Sequence, residues 1–168
     1  MANTYKLIAS STVGSGGASD VTFSSIPSTY TDLLIQASVR STEVDNASSF
    51  RCYFNGDTSQ SVLELRAIGT TPASYSVSYA QTGYVAASQS TTNSFGSATI
   101  YIPNYTSSNF KSVSADVVQA SSTASENYAV FSAKLWSSTS AITSVTLKTG
   151  LGTLVQYSSF YLYGIKNS

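Results

Sequence analysis

Six carboxylates, Glu43, Asp45, Asp57, Glu64, Asp116 and Glu126, and one thiol, Cys52, are the side chains of this sequence with the most chemical capacity. Two carboxylates flanking a glycosidic bond can hydrolyse it, one as acid and the other as base or nucleophile. Here the acidic residues read as solvated groups of turns and loops, and no pair stands out. The chain has no histidine, which removes Ser-His-Asp and Cys-His sites and the commonest transition-metal ligand. The segments EVDNAS and NGD offer oxygen ligands without the spaced acidic ladder and glycine of a calcium loop. GSGGAS lacks the Gly-Lys-Ser/Thr that would make it a phosphate cradle, so it reads as a flexible turn. Cys52 alternates with Phe50 and Phe54 on one apolar face, where a thiol behaves as a small inert hydrophobe. No catalytic residue, metal-ligand set or cofactor motif is expected.

The elements around these residues are strands. Hydrophobic residues recur at every second position, as a pleated strand with one buried face requires. In DLLIQASVR, Leu33, Ile35, Ala37 and Val39 share one face; in SFRCYFNGD, Phe50, Cys52 and Phe54 do so, and Asn55-Gly56 supplies a tight turn. The stretch GSATIYIPNYTSSNFKSVSADVV reads as a long-tipped hairpin. Its inward residues are Ala98, Ile100 and Ile102 before Pro103, then Val113, Ala115 and Val117. NYAVFSAKLW splits into Ala129, Phe131, Ala133 and Leu135 on one face and Tyr128, Val130, Lys134 and Trp136 on the other, with the first set assigned to the core. TYKLIAS, DVTFSSI, AITSVTLK and SSFYLYGI complete the set, the last with Phe160 and Leu162 inside. Residues 60–89 are least regular: SVLELRAIG reads as a short helical turn, and TTPASYSVSYAQTGYVAAS as a loop carrying a weak strand.

Turn clusters every eight to twelve residues separate about nine or ten strands, which indicates an all-β, antiparallel β-sandwich of jelly-roll type. A chain of 168 residues forms a single domain, 1–168, burying roughly 70% of its unfolded surface without disulfide or metal staples. Eight basic and eight acidic residues give zero formal net charge. That removes the electrostatic attraction that drives binding to nucleic acid or an anionic membrane, so neither is an expected partner. The N-terminal MANTYKLIAS has neither a basic leader nor an unbroken apolar run, which predicts synthesis in a cytoplasm.

A second set of aromatics, Tyr53, Tyr101, Trp136, Tyr161 and Tyr163, falls on strand faces opposite those assigned to the core. Such rings are either ordinary exposed β-sheet residues or a face covered by another protein or a carbohydrate. Tyr101, Tyr105 and Phe110 cluster in sequence beside the polar hairpin tip and are the candidate interface residues.

The segments TYKLIASSTVGSGGASDVTFSSIPSTYTDLLIQASVRS, FNGDTS, FGSATIYIPNYTSSNFKS, LWSSTSAITSVTL and YSSFYLYGI resemble small virion structural proteins of tailed bacteriophages. The resemblance spans nearly the whole chain except residues 60–89. It implies a non-enzymatic β-sandwich made in the host cytoplasm and assembled into the virion. The implied roles are a capsid decoration, or cement, protein bound to the major capsid protein as a homotrimer, and a module of the tail or tail fibre that recognises a host receptor or glycan. No active-site residue is carried over. The absence of a repetitive shaft or coiled coil favours the compact decoration protein.

Overall fold

The computed structural model of the chain describes residues 4–166. Twelve strands form: β1 (Tyr5–Thr12), β2 (Val21–Phe23), β3 (Asp32–Val39), β4 (Ala47–Phe54), β5 (Ser59–Ile68), β6 (Thr71–Tyr79), β7 (Gln81–Ala86), β8 (Gly96–Ile102), β9 (Lys111–Gln119), β10 (Tyr128–Trp136), β11 (Val145–Thr149) and β12 (Ser159–Ile165). One 3-10 turn, Ala124–Glu126, is the only helical element among the described residues, and none of their helices is long and apolar enough to cross a membrane.

The strands make two antiparallel sheets. The larger runs β1-β12-β3-β8-β9-β10-β5-β6 and the smaller β2-β11-β4-β7. Eight of the twelve reproduce a jelly roll: β1-β12-β3-β8 lies against β2-β11-β4-β7, and the chain crosses repeatedly from one sheet to the other. Two inserted hairpins add the rest. β5–β6 interrupts the path from β4 to β7, and β9–β10 the path from β8 to β11; together they widen the first sheet by four strands.

The expected alternation holds along most strands. Leu33, Ile35, Ala37 and Val39 are buried, as are Phe50, Cys52 and Phe54, Ala98, Ile100 and Ile102, Val113, Ala115 and Val117, and Phe160 and Leu162. They form one hydrophobic cluster between the sheets. Phe50 stacks on Phe160 at 6.5 Å, linking the centres of the two layers. The Asn55-Gly56 turn has positive φ at both residues, 51° and 75°, the twist a two-residue hairpin turn favours. β7 presses on β9 so closely that a Cβ at Gly83 would lie 2.5 Å from that of Val117.

Three expectations need correction. The strand number exceeds nine or ten because residues 60–89 hold three strands, and SVLELRAIG is β5, not a helical turn. The face assignment of β10 is reversed: Val130, Ser132, Lys134 and Trp136 are buried, while Ala129, Phe131, Ala133 and Leu135 are exposed. Trp136, expected outside, lies edge-on to Phe54 at 5.8 Å and donates its indole N–H to Asp57 at 2.8 Å.

β4 and β7 lose register between Phe50 and Arg51. Beside this irregularity Lys134 turns inward, donating from Nζ to the carbonyls of Cys52 and Ala80 at 3.2 and 3.3 Å and to the Thr82 hydroxyl at 3.0 Å. A buried ammonium needs such acceptors, and they lie on the inner side of β10.

Candidate interaction surface

Among the described residues, none forms a second layer over the outer face of the eight-stranded sheet. Its two halves differ in chemistry. Across β1, β12, β3 and β8 it presents Tyr5, Leu7, Tyr161 and Tyr101 as exposed side chains, with half-buried Leu34 and Tyr163. β12 and β3 align Tyr161 with Gln36 and Tyr163 with Leu34, and β8 places Tyr101 beside Leu34. Two shallow depressions meet at Gln36. One of about 320 Å³ is lined by Tyr5, Leu34, Gln36 and Tyr163. The other, of about 280 Å³, is walled by Tyr161 and the hydroxyls of Ser38, Ser97, Thr99 and Ser159.

The other half is more apolar. β10 and β5 pair Phe131 with Leu65 and Ala133 with Leu63, all directed outward. Val118 on β9 and Leu135 on β10 extend this patch. Beneath it the sheet is polar. Gln60, Glu64, Ser132, Lys134 and Gln119 are buried; Glu64 accepts from Gln81 at 2.9 Å, and Ser132 donates to the Thr82 carbonyl at 3.0 Å. Burial pushes the Glu64 carboxyl up and lowers Lys134 to about 8. On β5 and β10 the inner face thus mixes Glu64 and Lys134 with Val62, Val130 and Trp136.

The three candidate interface residues do not share a surface. Tyr101 is exposed, and its hydroxyl donates to Asp32 Oδ2 at 2.8 Å. The same carboxylate's Oδ1 accepts the Asn104 amide at 2.9 Å, fixing the start of the hairpin tip. The bond to Asp32, then burial, raises the Tyr101 phenol above its ordinary value. Phe110 is 56% exposed and borders a depression with Pro103, Asn104 and Ser107. Tyr105 is fully buried in the core, its hydroxyl bonded to the Pro27 carbonyl and its own carbonyl accepting from the Ile142 amide. It cannot contact a partner without unfolding the tip. Of the aromatic set, Tyr53 and Tyr163 are half-buried and Tyr161 exposed.

Sequence reasoning missed Leu63, Leu65, Phe131 and Leu135. The available signal was Lys134 together with Trp136 on one face of NYAVFSAKLW. That combination suits a sealed polar pocket with an aromatic lid, but the more apolar alternate face points the other way.

Three acidic side chains are held within the fold. Asp57 accepts the Ser59 amide and the Trp136 indole, Asp32 holds Tyr101 and Asn104, and Glu64 is enclosed. Among the described residues no group of three or more His, Cys, Asp or Glu could hold a metal ion. The fold and surface define a jelly-roll sandwich widened by an uncovered, weakly charged sheet face. Comparison with protein-family models, curated proteins and solved structures finds no match to any of them.

Proposed function

We propose that this chain is a non-enzymatic virion structural protein of a tailed bacteriophage, a decoration protein that binds the assembled major capsid protein and stabilises the head. The resemblance supplies the virion class. The observation that carries the reading is the outer face of the large sheet, where Tyr5, Tyr101 and Tyr161 at one end and Leu65 and Phe131 at the other stand exposed. Tyrosines offer large apolar area with a polar tip, the chemistry enriched where proteins dock. Binding the assembled lattice and not its dissociated subunits stabilises the shell by mass action.

The test is occupancy. Added to particles lacking it, the wild-type chain is expected to label heads in hundreds of copies, seen by immunogold and quantitative gel densitometry. Tyr101→Ala with Tyr161→Ala is expected to lower occupancy about tenfold or more, since an exposed aromatic anchor contributes roughly 1–2 kcal/mol when covered. Failure of the wild-type chain to bind particles overturns the reading.

The two depressions meeting at Gln36 favour a second reading: a tail module whose tyrosines stack on a neutral glycan while Gln36, Ser38 and Thr99 bond its hydroxyls. A copy number of only a few dozen, confined to the tail, would decide for it.

A further inference from the structure

We infer that the tip of the β8–β9 hairpin is a carbohydrate-binding site that takes a neutral sugar unit against Phe110. This goes beyond the decoration reading and uses neither the tyrosines of the large sheet nor Gln36. A depression of about 420 Å³ opens at the tip, lined by Pro103, Asn104, Ser107, Asn109, Phe110 and Ser112, within the size range of small-ligand sites. Phe110 is 56% exposed beside it, an aromatic ring open to stacking by the C–H face of a sugar. Asn104 and Asn109 are exposed too. Their backbone groups are bonded, but among the described residues neither carboxamide has a hydrogen-bond partner. A carboxamide offers donor and acceptor side by side, which matches two adjacent sugar hydroxyls.

The backbone of the tip is fixed while these side chains stay free. The Asn104 amide donates to Asp32 and the Ser107 amide to the Asn104 carbonyl, both at 2.9 Å, and buried Tyr105 anchors the loop in the core. Lys111, only 1% exposed, donates from Nζ to the carbonyls of Ser107, Ser138 and Ser140 at 2.7, 3.3 and 2.6 Å. Its ammonium also lies 5.4 Å from the centre of the Trp136 ring. Burying an ammonium is costly unless its N–H groups are met, and here the bonds tie the tip to the neighbouring loop. A loop ordered in advance loses less entropy when it binds. Charge then selects the ligand class. Lys111 is enclosed, Asp32 is 5% exposed and already holds Tyr101 and Asn104, and none of the six lining residues is charged. A phosphate or an acidic peptide would meet no counter-charge, whereas a neutral sugar needs none.

Titration of the isotope-labelled full chain with maltohexaose, cellohexaose and mannohexaose, followed by NMR, tests this. At least one is expected to bind at millimolar concentration, moving the backbone signals of residues 103–112 and the carboxamide signals of Asn104 and Asn109. Phe110→Ala and Asn109→Ala, both at exposed positions, are each expected to weaken binding about tenfold through loss of one ring contact or one carboxamide. Their unfolding transitions are expected to match the wild type, so a lost signal is not a lost fold. No shift with any of the three sugars, shifts centred on Gln36, or binding that survives both substitutions overturns the inference. Oligogalacturonate binding as tightly as the neutral sugars overturns it as well, since the ligand class would then be acidic. So does a loss of particle occupancy in Phe110→Ala without sugar binding, which would make the tip a protein contact. The decoration reading, which rests on occupancy by the wild-type chain, survives each of these failures.

Discussion

An ammonium group sealed between β10 and the β4–β7 pair makes folding depend on alkaline pH, and the neighbouring thiol limits the range. Burial lowers Lys134 from 10.5 to about 8 and raises Cys52 from 9.0 to about 11. Above pH 8 the folded chain releases the lysine proton while the unfolded chain keeps it up to 10.5, so stability rises. Above pH 9 the unfolded chain releases the thiol proton while the folded chain holds it to about 11, so this group lowers stability. The sum is a gain of roughly 1 kcal/mol between pH 8 and 9, then a plateau to about pH 10. Urea titrations across this range check it. In Lys134→Met the rise is expected to vanish and stability to fall above pH 9; in Cys52→Ala the rise is expected to continue towards pH 10. The burial of Cys52 was legible from its alternation with Phe50 and Phe54. That of Lys134 was not, because its acceptors, Cys52, Ala80 and Thr82, lie on and beside strands distant in sequence. Tyr105 was misplaced for a related reason: Pro27, the partner of its hydroxyl, lies 78 residues away, and nothing beside Tyr105 announces it.

At the scale of the element, β10 separates what periodicity establishes from what it leaves open. A period of two fixes which residues share a face, and those sets are correct along NYAVFSAKLW. It does not fix which face turns inward when one is uniformly apolar and the other mixes Val, Lys and Trp. On β3, β8 and β12 one face is clearly the more apolar, and there both the sets and their orientation were legible. The two faces of β10 should respond oppositely to mutation. Phe131→Ser, on the exposed side, is expected to change monomer stability by less than about 1 kcal/mol, whereas Trp136→Ala is expected to cost about 3–5 kcal/mol. Chemical denaturation of the monomer distinguishes them. β5 was obscure for the same reason, since Gln60 and Glu64 occupy its inward positions. β6 was obscure because it is a polar edge strand with few buried residues to mark it.

Across the whole molecule, the sandwich class was legible because regularly spaced turn clusters force short strands to pair with their neighbours. The sheet order was not, since it depends on pairings between distant segments: β12 lies between β1 and β3. The last strand therefore holds the first one in place. A chain ending before Ser159 is expected to lose its single cooperative melt by circular dichroism, because β1 would have no neighbour and the core would lose Phe160 and Leu162. The same pairing carries a practical corollary for display. Lys166 donates its amide to the Thr4 carbonyl, so both described ends emerge at one corner of the sheet. At about 4.8 Å per strand, that corner is nearly 30 Å from β5. A label attached to Thr4 or Lys166 would sit on one rim, clear of Leu65 and Phe131.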